Sequence, residues 1–166
     1  MANDTQTAIA TEAKRLEEDV LYAEKQHFSM ATVWRRIHLA LGIPSVIAAA
    51  LSGMAALKAN APVAVFLAVI SAVLTALLTF LNPQAMAAAH HRAGIKYSDL
   101  RGRLRRLYEL DLSSSDLPAV KQRLIGLAEE KTKVMTESPH IGGLAYLARL
   151  AGISRMKAAY KPGKWK

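Results

Sequence analysis

Cysteine is absent from the 166 residues, which excludes a disulfide framework and any thiolate metal site. Catalytic signatures are missing as well. The chain contains no Gly-rich phosphate loop, no H-E-x-x-H and no nucleophile elbow, so no motif for phosphate cradling, zinc hydrolysis or acyl transfer is in place. His90 and His91 are adjacent; on a helix they point about 100° apart and cannot share a metal as ligands four positions apart would. These absences argue against an enzyme, a cofactor or a metal. The first ten residues are polar and lack the basic-then-apolar pattern of a signal peptide, and the first apolar run starts too late to be one. A pI near 10 raises nucleic acid as a partner, but no nucleic-acid-binding motif accompanies it.

The most informative absence is that of charge. Residues 39–57 are 19 positions without a charged side chain, Lys58 interrupts, and residues 60–81 add 22 more. At about 1.5 Å rise per residue the shorter run reaches roughly 28 Å, close to the roughly 30 Å of a hydrocarbon core. The turn between them is Lys58-Ala59-Asn60-Ala61-Pro62, too short to hold a domain. The pattern predicts an all-α membrane protein: a two-transmembrane helical hairpin extended into a cytosolic helical bundle. Its segments are a cytosolic helix over 1–38, the hairpin over 39–81 and a cytosolic helical segment over 82–166. A soluble bundle with an unusually apolar core is the competing architecture.

Charge sets the expected orientation. Residues 1–38 carry five basic and six acidic residues, whereas 82–166 carry sixteen basic and seven acidic. Arg35 and Arg36 precede the first run, Arg92 and Lys96 follow the second, and the turn offers only Lys58. The positive-inside rule then places both termini in the cytoplasm. Topology and attraction to anionic lipid account for the basic excess.

Two heptad seams flank the apolar runs. Ile9, Ala13, Leu16, Val20, Ala23, His27, Met30, Trp34 and Ile37 alternate spacings of four and three within one helix predicted over 5–37. Met86, His90, Ala93, Tyr97, Leu100, Leu104 and Leu107 form the second seam. Asn82-Pro83 marks a kink or a short break before it, since proline disfavours helix at the preceding residue. Acidic positions flank the first seam (Glu12, Glu17, Asp19, Glu24) and basic ones the second (Lys96, Arg101, Arg103). Equal counting from His38 and from Asn82 brings Asp19 level with Arg101, and Glu17 level with Arg103. Solvation of helix faces explains each charge singly, and an exposed pair contributes only a few tenths of a kcal/mol.

A further helix is expected from Ser115 or Asp116, with Pro118 in its first turn and Leu117, Val120, Leu124, Leu127 and Val134 as its stripe. Pro139 and Gly142-Gly143 end it. A last helix is expected over 144–160, with Leu147, Leu150, Ala151 and Ile153. The tail Lys161-Pro162-Gly163-Lys164-Trp165-Lys166 either touches the membrane surface or frays.

Within the apolar runs, small residues recur every four positions: Ala64, Ala68, Ala72 and Ala76 in the second, Ala49 and Gly53 in the first, with Ser45 before them. Such spacing lets membrane helices pack closely, and these are the candidate helix-packing residues of a homo-oligomer. Ser71, Thr75 and Thr79 form a neighbouring line of hydroxyls. They either bond back to their own helix carbonyls, bridge neighbouring helices, or line a narrow aqueous path. Two spans cannot enclose a channel, so a pore needs several subunits. His27 and His90, with Tyr97, fall on the seams near the apolar runs. The two histidines read as ordinary packed side chains or, more sharply, as a pH- or conformation-sensitive contact at the cytosolic neck.

Several local patterns together resemble one family. They are His27-Phe28 with Ala31 and Trp34; Leu41-Gly42-Ile43-Pro44 opening the first run; Asn82-Pro83, His90, Ala93-Gly94, Tyr97, Leu100 and Arg101 after the second; and Ser138-Pro139 with Ala145-Tyr146 and Ala148-Arg149. Their order and spacing resemble the SLATT domain, a two-transmembrane effector associated with SMODS nucleotidyltransferases and SLOG sensors in bacterial conflict systems. The resemblance runs from about residue 17 to 153. It implies a pore-forming or membrane-depolarising effector of antiphage defence in the bacterial inner membrane, triggered by a separate sensor protein or a nucleotide signal. A non-conducting membrane scaffold whose cytosolic bundle recruits a partner is the alternative. A small holin-like lysis protein fits less well, because the cytosolic portion is too large.

Overall fold

A computed structural model of the chain describes residues 2–113 and 116–141, and among these every regular element is a helix. Helix α1 (Ala2–Leu57) runs through 56 residues without a break, about 84 Å at 1.5 Å per residue. It absorbs both the helix expected over 5–37 and the first apolar run. Pro44 lies inside it, although proline removes a backbone donor and crowds the preceding turn. Helix α2 (Ala61–Leu81) is the second apolar run, and α3 (Pro83–Glu109) carries the second seam. A short 3-10 turn (Asp111–Ser113) leads towards α4 (Leu117–Glu137). Two of these helical stretches are long and apolar enough to cross a membrane.

Two residues with positive φ mark the chain's turn and its break. Ala59, at φ 56°, closes α1: Asn60 N–H donates to the Ala55 carbonyl at 3.0 Å and Ala59 N–H to that of Ala56 at 3.0 Å. This is the paired bonding of a Schellman end, usually completed by glycine, which has no Cβ to strain. Asn82, at φ 40° and ψ 54°, separates α2 from α3. Asparagine is among the few residues that visit this region readily. Its N–H donates to the Leu78 carbonyl at 3.1 Å, and its side chain accepts from the Ala85 N–H at 3.4 Å. One residue therefore ends one helix and caps the next, and buried Pro83 starts α3 where a missing N–H costs nothing.

The seams meet as the spacing requires. Ile9, Ala13 and Val20 of α1 pack with Tyr97, Leu100, Leu104 and Leu107 of α3, and with Val120, Leu124, Leu127 and Val134 of α4. Leu112 from the 3-10 turn joins them. Each fully buried aliphatic side chain contributes about 1.5–3 kcal/mol, so this three-helix arm holds most of the apolar burial. Asp116 caps α4 by accepting from the Ala119 N–H at 3.1 Å, and Pro118 sits in the first turn. The helix ends at Ser138, which is extended, as a residue before proline prefers. The helix expected over 144–160 and the basic tail lie outside the described residues.

α2 is different: none of its residues is buried. It lies antiparallel to α1, with Ser52 opposite Ala64 and Ser45 opposite Ser71 and Thr75.

Candidate functional site

At the base of the arms the seams bring His27, His90 and Tyr97 together. All three are buried, His90 completely. The Nδ1 atoms of His27 and His90 are 3.0 Å apart, and the His27 ring stacks on Tyr97 with centroids 5.4 Å apart. Burial pushes the His27 ring down to about 4 from an ordinary 6.5, and the charge of a protonated His90 adds to the effect. Burial lowers His90 as well. Tyr97 is raised by burial, opposed by a hydrogen bond with the Ser138 side chain. The end of α4 is thereby tied to the same level, where Lys96 also pairs with Glu137 at 2.8 Å. Beside this group Gly94 is where Phe28 seats: a Cβ there would meet the Phe28 ring at 2.9 Å.

The acidic face of α1 does meet basic partners, but not at the level that equal counting predicts. Arg101 pairs with Glu24 at 2.8 Å, not with Asp19. Glu17 accepts from the Tyr108 hydroxyl at 2.8 Å, not from Arg103. The reason is the lean of helical side chains towards their own N-terminus. In an antiparallel pair those leans oppose each other. Arg101 reaches down towards the apolar end while Glu24 reaches up, whereas Asp19 and Arg101 at equal height diverge. The other members go to α4: Arg103 pairs with Glu130 at 2.8 Å and Asp19 with Lys131 at 2.7 Å. A third helix competing for these charges leaves no signal in the two seams alone.

The hydroxyl line splits between two of its expected roles. Ser45 and Thr75 hydroxyls are 2.8 Å apart, and Ser71 donates to the Ser45 carbonyl at 3.0 Å. Ser71 and Thr75 thus bridge α1 and α2 within one chain. Thr79 instead bonds back to the Thr75 carbonyl at 3.0 Å. Of the three, two therefore bond to the neighbouring helix and the third to its own. Ser45 and Ser52, one heptad apart on α1, are the partners that the spacing could have revealed; Ser52 donates to the Ala64 carbonyl at 2.8 Å. Among the small residues only Ala64 is half-buried, while Ala49, Gly53, Ala68, Ala72 and Ala76 are exposed. The hydroxyl bonds that join α1 to α2 come from Ser45 and Ser52 on the α1 side.

No family model, no curated protein and no solved structure matches the chain.

Proposed function

We propose that this chain is an oligomeric membrane effector of the SLATT type. Residues 39–57 and 60–81 insert as a hairpin in the bacterial inner membrane, with both termini in the cytoplasm. The arm of α1, α3 and α4 receives a trigger from a sensor protein or nucleotide signal, and the assembled spans depolarise or permeabilise the membrane. Lipid and further copies of the chain are the partners; no catalytic residue, cofactor, metal or nucleic acid enters the reading.

One observation carries it: large apolar side chains stand exposed along both apolar runs. Phe80 and Leu57 are about nine-tenths exposed, and Ile43, Val46, Phe66 and Val69 are more than half exposed. Such a continuous apolar surface is costly in water and matched in hydrocarbon. The exposed small residues on α2 and α1 lie on surface open to a second copy, which supports lateral assembly. The conflict role rests on the family resemblance alone.

The test is reconstitution. The full chain should require detergent for extraction, and in liposomes it should release a trapped ion or dye. Mass measurement in detergent should give several copies per particle. Membrane association without flux, with a partner co-purifying, supports the scaffold reading. One observation favours that reading: Ser71 and Thr75 already bond to Ser45 within the chain. Solubility without detergent ends both.

A further inference from the structure

We propose that His27 and His90 form a proton-released latch at the base of the arms, which ties α1 to α3 while the two rings share a single hydrogen and lets them part there when the pair takes up another. A separation of 3.0 Å between two Nδ1 atoms requires one to donate and the other to accept. The Nε2 of His90 is buried with no hydrogen-bond partner among the described residues. An N–H stranded there is costly, so His90 is assigned as the Nδ1–H donor and His27 as the acceptor.

An added proton then has two places to go. On His27 Nδ1 it removes the acceptor and breaks the bond. On His90 Nε2 it makes a buried, charged N–H with nothing to receive it. Both are relieved by separating the rings towards water. The surroundings offer no counter-charge to stop this. On α1, Glu24 lies one turn before His27 but holds Arg101 at 2.8 Å. On α3, Tyr97 is committed to Ser138, His91 is exposed against the Phe28 ring, and Asp99 is exposed beside Arg103. At the end of α4, Glu137 holds Lys96.

The sign follows from burial. The folded chain keeps His27 neutral down to about 4, while an unfolded chain takes the proton near 6.5. The latch is whole above about 6.5 and weakens as pH falls towards about 4. The opening is local, because Leu100, Leu104 and Leu107 hold the arm above it, and the left-handed break at Asn82 lies below it.

The cysteine-free chain allows a direct test. Lys25→Cys on α1 and Arg92→Cys on α3, both at exposed positions, carry spin labels on the full chain in detergent. Pulsed EPR distances are measured from pH 8 to pH 4. A longer-distance population is expected to appear below pH 6.5 and to grow as pH falls towards 4. Adding His27→Gln with His90→Gln should abolish that response, and His91→Gln should leave it intact. An unchanged response in the double variant, or none in the parent, overturns the latch. Should the double variant not fold, imidazole 15N shifts of the parent decide: both rings titrating near 6.5 with no change in distance also overturns it. The readout needs neither bilayer nor conductance, so a failed flux assay leaves this test standing.

Discussion

The two halves of α1 belong to one unbroken helix yet meet their neighbours in opposite ways. In the arm, Ile9, Ala13 and Val20 turn inwards onto α3 and α4 while charge covers the outside. In the apolar half, small and hydroxyl residues such as Ser45 and Ala48 face α2, and Ile43, Val46 and Ile47 point away. The first half is held by aliphatic burial; the second meets α2 through hydroxyl bonds. The same helix is thus built for water at one end and, on the proposed reading, for hydrocarbon at the other.

Substitutions matched across the boundary test this contrast. Leu104→Ala empties a site that is 1% exposed and should cost about 3 kcal/mol. Phe80→Ala, at 91% exposed, should change stability by less than about 0.5 kcal/mol. Thermal melting in detergent compares them, and equal losses would erase the distinction between the halves. Val69→Arg puts a charge in the middle of α2, where insertion should cost about 2.5–3.5 kcal/mol. Membrane partition should fall sharply, whereas Ile95→Arg, on an exposed position of α3, should leave it unchanged. Equal partition of both variants would argue against hydrocarbon around α2.

Smaller effects lie at the turn and the contact between α1 and α2. Ala59→Gly relieves a left-handed alanine and should stabilise the chain by about 1 kcal/mol. Ser45→Ala removes the hydroxyl that meets Thr75 and should cost about 0.6 kcal/mol, as interhelical hydroxyl bonds in lipid typically do. A loss several times larger would mean that the hydroxyl cluster, rather than packing, holds α1 to α2.

Much of the architecture is legible in residue order. The seam spacing identified the buried faces of α1 and α3, Asp116 and Pro118 announced α4, and Asn82-Pro83 announced the break. Each is a local signal: periodicity, capping or a fixed φ acts over one or two turns of helix. The site was legible in part. His27, His90 and Tyr97 lie on seam positions, so their approach follows from pairing the seams. The share of a single hydrogen between two Nδ1 atoms does not, because it depends on ring orientation and on an unpartnered Nε2.

Helix, break and buried stripe came from the chain because they depend on neighbours a few residues away. Partner choice came from the assembled molecule. Glu24 rather than Asp19 received Arg101 because opposed helices lean their side chains past one another. Asp19 and Arg103 went to α4 because a third helix offered Lys131 and Glu130 within 2.8 Å. Ser71 and Thr75 turned to Ser45 because α2 presents that edge to α1. Such choices are competitions among groups distant in sequence, settled when the three-dimensional packing sets which of them are in reach.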